Sequence, residues 1–263
     1  MCRLFALHAG DRDVAADFWL LNAPDSIARQ SEINADGYGL AALTAKRGMI
    51  IMRNPVEAAG DNAYQQVAQR LVAAEMVVHL RYADTGGTSL VNTHPFTQDG
   101  RAFAHNGVVG DLDRIEKRLG SNRAMVMGET DSERFFALIT LAIRDAGGDV
   151  RAGITAAVRE VVEEYELYSL NFVLGELGHI WAFRYPDNNP LLIFQRQAGG
   201  PSGEATQGAG AKVRHLAGND RTLPASDARQ CDNLHAGSPN EVMGLYPSVH
   251  SPQCLNNLTS ACG

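Results

Sequence analysis

Positive charge is scarce in this sequence and nowhere clustered. Lys and Arg number 23 against 30 Asp and Glu, which gives a formal net charge of −7. Proteins that grip nucleic-acid phosphates need a clustered basic surface, so we expect no nucleic-acid partner. No segment approaches the roughly 18 consecutive apolar residues of a transmembrane helix, so we expect no membrane partner. The first residues carry acids and a histidine where a secretory signal is apolar. We therefore expect a soluble, cytoplasmic protein.

Cysteine is also scarce, and its distribution is uneven. Three of the four cysteines, Cys231, Cys254 and Cys262, lie near the end of the sequence, and Cys2 stands alone at the start. The CxxC spacing of a zinc site or a redox pair is missing, and a disulfide framework is not expected in a chain of this size without a signal peptide. We therefore expect no metal and no organic cofactor, and free surface thiols in the tail. Cys2 needs another explanation.

The texture of the sequence changes after residue 197. A chain of 263 residues with 45% hydrophobic and 20% charged residues suits one large domain with an appendage. We predict that residues 2–197 form this domain. Residues 198–263 begin with AGGPSGEATQGAGAK and are predicted to be a Gly/Ala-rich linker followed by a poorly structured tail.

Strands and helices are predicted in groups rather than in alternation. Strands are predicted for residues 2–8, MVVHLRYA, RAFAHNGVV, LYSLNFVLGE, HIWAFRY and LLIFQRQ, and a hairpin for DGYGLAALTA with KRGMIIMRN. Helices are predicted for VRAGITAAVREVVEEYEL and for NAYQQVAQRLVAAE, the latter with Val67, Leu71 and Val72 on one face. DSERFFALITLAIRDAG predicts another helix, with Asp131 or Ser132 as N-cap. Grouping of this kind favours an α+β layered architecture.

Cys2 has a chemical meaning if Met1 is removed, as methionine aminopeptidase does when the second side chain is small. The thiol and an α-amine then belong to one residue. An α-amine titrates near 7.7–8.0, so it can act as general base for its own thiol. An ordinary buried strand cysteine is the simpler interpretation of Cys2 taken alone.

Three later segments carry polar side chains that complement a thiol. HLRYADTGG places Arg81 at a strand end, where a guanidinium can pair with a carboxylate or simply face solvent. FAHNGVVGD places Asn106 and Gly107 after a strand, where they can form an oxyanion hole or merely a type I′ turn. GETDSERFF places Asp131 at a helix start, where it can bind an ammonium group or cap the helix. As a set, these groups can hold glutamine by its amino-acid head during attack on its side-chain amide.

These segments together resemble a known family. MCRLFAL, DGYGLA, HLRYADTGG, NTHPF, AHNGVVGD and GETDSE are similar, in order and separation, to the class II glutamine amidotransferase domain of the N-terminal-nucleophile (Ntn) hydrolases. The resemblance covers about residues 2–195 and is greatest to small stand-alone bacterial members. It implies a four-layer αββα sandwich and a glutaminase mechanism.

The resemblance also implies a role for each matching residue. Cys2 matches the nucleophile, Arg81 the clamp for the substrate carboxylate, and Asp131 the ligand of the substrate ammonium group. Asn106 and Gly107 match the oxyanion hole. His94, in NTHPF, matches a position near the active site and is expected on the substrate side, although a structural histidine is an equal alternative.

The fate of the released amine is left open by the sequence. The chain has no segment that resembles an ammonia-consuming synthase. It could be a hydrolase of glutamine or a small γ-glutamyl amide, or a glutaminase subunit that feeds a separate synthase partner. A catalytically silent γ-glutamyl-binding protein is the third alternative, and a homo-oligomer is compatible with each.

Overall fold

The structure, a computed structural model, describes residues 2–83, 85–186, 190–195, 212–215, 234–236 and 241–244. The strands in these ranges are β1 (Arg3–His8), β2 (Val14–Ala15), β3 (Tyr38–Thr44), β4 (Gly48–Asn54), β5 (Val72–Ala73), β6 (Glu75–Leu80), β7 (Phe96–Gln98), β8 (Arg101–Val109), β9 (Leu167–Glu176), β10 (His179–Phe183), β11 (Leu192–Gln195), β12 (Lys212–His215), β13 (Leu234–Ala236) and β14 (Glu241–Gly244). The α-helices are α1 (Ile27–Ser31), α2 (Asn62–Arg70), α3 (Leu112–Leu119), α4 (Asp131–Asp145) and α5 (Val150–Glu164). Short helical turns lie at Phe18–Asn22, Leu90–Asn92 and Gly120–Met125.

The larger sheet contains the first strand of the chain in its interior. Its seven strands have the order β12-β11-β14-β1-β6-β3-β4. Strand β1 is antiparallel to β6, with Arg3 opposite Leu80 and His8 opposite Glu75, and its other edge pairs with β14. Both edges of β1 are therefore hydrogen-bonded, which holds a segment that would otherwise fray as chain termini do.

The second sheet has five strands in the order β13-β10-β9-β8-β7. Its centre is the long antiparallel pair of β8 and β9, in which Asn106 lies opposite Asn171 and Gly107 opposite Leu170. This pairing places the predicted oxyanion donors within a strand. A β-turn at Asn106-Gly107 is therefore excluded.

Three hydrophobic clusters separate four layers. The cluster between the two sheets contains small and branched residues from both of them, including Leu4, Ala6, Ala104, Val173 and Ile180. A second cluster lies between the seven-stranded sheet and helices α1 and α2, and a third between the five-stranded sheet and helices α3 to α5. Helices thus cover both outer faces of two stacked sheets. The predicted α+β class and αββα sandwich are confirmed.

The segment-level predictions agree with the structure except near helix ends. The predicted hairpin is β3 and β4, joined at Thr44 and Gly48. Helix α2 ends at Arg70, so the predicted continuation through Leu71 and Val72 is wrong; Val72 begins a short strand and is 46% exposed. The chain has to turn here because β5 pairs with β2 and leads directly into β6.

The predicted N-cap of α4 is also wrong by one residue. Thr130 has the extended backbone of a cap, and its hydroxyl accepts the N–H of Glu133. Asp131 is therefore not the cap of this helix and is available for other contacts. Thr130, Asp131 and Ser132 are all good capping residues, so the sequence could not decide among them.

The predicted domain boundary remains a prediction. Most of residues 198–263, among them Cys231, Cys254 and Cys262, lie outside the described residues. The described parts of this segment are β12, β13 and β14, which are strands of the two sheets. Among the described residues, no helix is long and apolar enough to cross a membrane.

Gly153 allows α4 and α5 to approach closely, and its replacement should reveal this contact. A Cβ at Gly153 would lie 2.5 Å from the Cα of Ile143. We expect Gly153→Ala to lower the free energy of unfolding by about 1–3 kcal/mol, although alanine favours helix formation. Urea denaturation measures this. Gly60→Ala is the control, since a Cβ there meets nothing within 4 Å; equal stability of both variants would contradict the close packing.

Candidate active site

Cys2 immediately precedes β1 and lies beside the residues that follow β6. Its Sγ is 3.3 Å from the backbone N of Tyr82, which donates to it, and 3.5 Å from the carbonyl oxygen of Tyr82. Side chains alternate along a strand, so Cys2 is on the same face as Leu4 and Ala6, which pack between the sheets. Its side chain is partly exposed.

Asn106 lies on the opposite wall of the layer between the sheets. Strand β8 buries Ala102 and Ala104 in this layer, and alternation puts Asn106 on the same face, directed toward the seven-stranded sheet. Its side chain is buried, and β8 contacts β1. Cys2 and Asn106 therefore come from the two facing sheets, and both side chains are directed into the layer between them.

Gly107 has a steric reason to be glycine. A Cβ at this position would clash with the carbonyl oxygen of Ser169 on β9 and with the ring of His105. The backbone of β8 therefore passes closer to its neighbours than any side chain permits. Substitution of Gly107 would move the backbone N–H that is predicted to bind the oxyanion.

Asp131 joins the start of α4 to the end of β8. Its Oδ2 accepts the backbone N–H of Val109 at 2.9 Å, and Ser132 Oγ lies 3.4 Å from its Oδ1. The residue is 4% exposed. The carboxylate is thus held at the end of β8, beside Val109 and three residues beyond Asn106. Its contacts are not those of an N-cap of α4.

Arg81 continues β6 next to Cys2, but its guanidinium is engaged by its own loop. Nη2 donates to the carbonyl oxygens of Thr85 and Gly86 at 2.9 and 3.1 Å, and Nη1 donates to that of Gly87 at 3.2 Å. These hydrogen bonds support the loop over residues 85–87, and the role of Arg81 as a carboxylate clamp remains a prediction. A substrate carboxylate would use the remaining N–H groups of the guanidinium or replace one of these carbonyls.

Asn92 ties this loop to the segment before α4. Its side-chain amide donates to the carbonyl of Gly87 at 2.9 Å and to Glu129 at 3.2 Å, while its Oδ1 accepts the N–H of Glu129 at 2.8 Å. The NTHPF segment contains this residue, yet nothing in the pattern separates it from a loop asparagine. The structure adds Asn92 to the residues that shape the site.

His94 is enclosed rather than exposed to a substrate. Its ring packs 4.1 Å from that of His79 and 4.4 Å from that of Phe96, centroid to centroid, and it is 4% exposed. Burial lowers the pKa of His79 to about 3 and holds the pKa of His94 well below its usual value. Both rings are therefore neutral at neutral pH. These contacts favour the structural alternative for His94, and its predicted place beside the substrate remains a prediction.

The described part of the chain contains no group of three or more His, Cys, Asp or Glu side chains that could hold a metal ion. The reactive groups are thus a thiol, amide and backbone donors, a carboxylate and a guanidinium. This set suits nucleophilic attack on a carbonyl with stabilisation of an oxyanion.

Known proteins with a similar sequence are named for transfer of an amino group from glutamine. A probable glutamine amidotransferase of Saccharomyces cerevisiae is 25% identical over 170 residues, which are 57% of this chain and 47% of that protein. A glutamine–fructose-6-phosphate aminotransferase of Idiomarina loihiensis is 31% identical over 90 residues, 34% of this chain and 15% of that protein. The chain thus spans less than half of the length of these relatives.

Solved structures of the same fold include long and short proteins. Glutamine phosphoribosylpyrophosphate amidotransferase from B. subtilis matches with a TM-score of 0.58 and 15% identity, over 90% of this chain and 49% of that one. A glutamine aminotransferase class-II domain protein from Silicibacter pomeroyi matches with a TM-score of 0.52 and 20% identity, over 74% and 83%. At these identities the likeness shows the fold alone.

The family is shown by a match that covers most of the sequence. The model of the class-II glutamine amidotransferases matches residues 1–207, which include every predicted site residue and both sheets of the sandwich except β12, β13 and β14. The chain belongs to the class-II glutamine amidotransferases.

Proposed function

We propose that this chain is a cysteine amidohydrolase that cleaves the γ-amide of glutamine or of a small γ-glutamyl compound through a thioester at Cys2. The observation that carries the proposal is the position of the Cys2 thiol at the end of a central strand, 3.3 Å from the N–H of Tyr82. It faces the layer that also receives Asn106. The Cys2 side chain is partly exposed, so a substrate can reach its thiol, whereas a purely structural cysteine is normally buried.

Removal of Met1 precedes the reaction and makes Cys2 the first residue. The free α-amine takes the thiol proton, and the thiolate attacks the amide carbon. The oxyanion that forms is stabilised by the side-chain amide of Asn106 and the backbone N–H of Gly107. The C–N bond then breaks, and the α-ammonium group returns its proton to the leaving amine. Water, deprotonated by the same amine, hydrolyses the thioester and releases the γ-carboxylate.

The amino-acid head of the substrate is held by two charged groups on different elements. Arg81, beside Cys2, pairs with the α-carboxylate, and Asp131, at the start of α4, accepts from the α-ammonium group. His94 stays packed on His79 and takes no part in these contacts. Thiols are kept reduced in the cytosol, so we place the reaction in the cytoplasm.

A second role is favoured by the relatives. The match to the Idiomarina loihiensis glutamine–fructose-6-phosphate aminotransferase covers only 15% of that protein, so most of that protein has no counterpart in this chain. In this role the chain is a glutaminase subunit that delivers ammonia to a separate synthase. Co-purification of a synthase, together with higher glutaminase turnover in its presence, would favour this role over an independent hydrolase.

Covalent labelling should identify the nucleophile. We expect 6-diazo-5-oxo-norleucine to add once, at Cys2, and intact mass should show that Met1 is absent. Cys231, Cys254 and Cys262 serve as internal controls, because they are thiols without the predicted glutamine site. Retention of Met1 with no adduct would instead favour a silent γ-glutamyl-binding protein, and an adduct elsewhere would contradict the assignment of Cys2.

Removal of the side-chain oxyanion donor should slow the chemical step. We expect Asn106→Ala to lower kcat for glutamine by roughly 10²–10³, with little change of KM, because the donor acts on charge that develops in the transition state. Ammonia release measures this. Asn54→Ala is the control. Asn54 is the last residue of the edge strand β4, and its side-chain amide donates to Asp61. Near-normal turnover of a folded Asn106→Ala protein would contradict the proposed oxyanion hole.

The substrate itself should be found by a matched series of amides. We expect glutamine and γ-glutamyl amides with small amine groups to release amine, and amides without the amino-acid head to react much more slowly. A screen with amine release as readout measures this, with Cys2→Ala as the blank. Equal rates with and without the amino-acid head would contradict the roles of Arg81 and Asp131.

A further inference from the structure

Three polar side chains that take no part in the steps above are buried directly behind the predicted site. His105, Ser132 and Ser169 are 1%, 5% and 0% exposed. They belong to β8, α4 and β9, and so to the three elements that carry or flank Asp131 and Asn106. Buried polar groups cost stability unless they are hydrogen-bonded, so their contacts define what they do.

The three residues form one bridge, to which Ser169 contributes both its main-chain carbonyl and its hydroxyl. His105 Nδ1 lies 2.9 Å from Ser132 Oγ, and His105 Nε2 lies 3.2 Å from the carbonyl oxygen of Ser169. At one end, Ser132 Oγ is 3.4 Å from Oδ1 of Asp131. At the other end, the hydroxyl of Ser169 donates to the backbone carbonyl of Asn106 at 3.3 Å.

The hydrogens of this bridge can be assigned from its acceptors. A carbonyl oxygen only accepts, so the Nε2 that faces Ser169 carries a hydrogen. Ser132 has one hydroxyl hydrogen and two neighbours, Nδ1 of His105 and Oδ1 of Asp131. Ser132 Oγ lies within hydrogen-bond distance of both, at 2.9 and 3.4 Å, and so joins the His105 ring to the Asp131 carboxylate.

The bridge also explains the close approach at Gly107. A Cβ at Gly107 would clash with the same Ser169 carbonyl and the same His105 ring that form the bridge. Strand β8 therefore packs closely against the bridge at Gly107. The same bridge contacts Asp131 at one end and Asn106 at the other.

We propose that Ser132 and His105 are positioning residues that hold the Asp131 carboxylate in register with the Asn106–Gly107 donors. This inference rests on the proposed function, which assigns Asp131 to the substrate ammonium group. The bridge sets the distance between the group that holds the head of the substrate and the donors that receive its amide oxygen. Neither residue touches the substrate.

Such a role has a kinetic signature that differs from that of an oxyanion donor. Asp131 binds the ammonium group equally in the ground state and in the transition state, because this group does not react. Loss of its support should therefore raise KM and leave kcat nearly unchanged. The effect should vanish for glutaramate, which is glutamine without the α-ammonium group.

The test is Ser132→Ala in the full chain. We expect KM for glutamine to rise about 3- to 10-fold, the size of one lost hydrogen bond, with kcat within about twofold. In the Cys2→Ala background, the Kd of glutamine should rise by a similar factor, while the Kd of glutaramate should not change. Calorimetry measures both constants and does not depend on turnover.

Two further variants separate positioning from a general loss of packing. Ser132→Thr keeps the hydroxyl and should restore KM to within about twofold of the wild type. Thr140→Val removes another buried hydroxyl from α4, one for which the described residues offer no hydrogen-bond partner, and should leave KM and kcat unchanged.

Each outcome decides between the two proposals. An unchanged KM for Ser132→Ala, or an equal loss of affinity for glutamine and glutaramate, overturns the bridge. A wild-type protein that binds glutamine without turnover contradicts the proposed reaction, while the Kd values still decide the bridge. Absence of glutamine binding by both the wild type and Cys2→Ala overturns both.

Discussion

The antiparallel pairing of β1 with β6 is the contact on which the predicted chemistry depends. It places the start of the chain in the interior of a seven-stranded sheet, with Arg3 opposite Leu80. Cys2 is thereby brought beside Arg81 and Tyr82, 80 residues away in sequence. Side chains alternate along a strand, so a slip by one residue would turn Cys2 away from the layer between the sheets and toward the outer helices. The apolar faces of β1 prevent this slip, because Leu4 and Ala6 pack between the sheets while Phe5 and Leu7 pack under α1 and α2.

The layer between the sheets changes character along its length. Away from the site it is filled with small and branched apolar residues such as Ala6, Ala104 and Val173. At the end near Cys2, the same alternating positions carry polar side chains, His79 on β6 and Asn106 on β8. Burial keeps His79 neutral, with a pKa of about 3, so this ring adds no charge to the layer. Burial also suits donors that are predicted to stabilise a developing oxyanion, since their effect is stronger where water is excluded.

Much of the architecture follows from periodicity in the sequence. The hairpin of β3 and β4, the long helices α4 and α5 and the strands β8 to β10 have patterns of apolar residues that match their buried faces, and each was predicted close to its observed bounds. Errors occur at boundaries. Helix α2 ends at Arg70 because the next residues join a strand pair formed with a segment more than 50 residues earlier, and local helix propensity contains no information about that partner. The cap of α4 could not be chosen because Thr130, Asp131 and Ser132 are all suitable.

The sequence by itself determined the chemical inventory of this protein: a thiol at position 2, a guanidinium, an amide next to a glycine, and a carboxylate at a helix start. It also determined the family, because these groups occur in motifs whose order and separation are specific. Only the tertiary structure decided how they are supported. Arg81 donates to the carbonyls of its own loop, His94 is packed against His79, and Asp131 is linked to β8 through Ser132, His105 and Ser169. The physical reason is that hydrogen bonds between distant strands and helices depend on register and close approach. Neither is encoded in the spacing of residues along the chain.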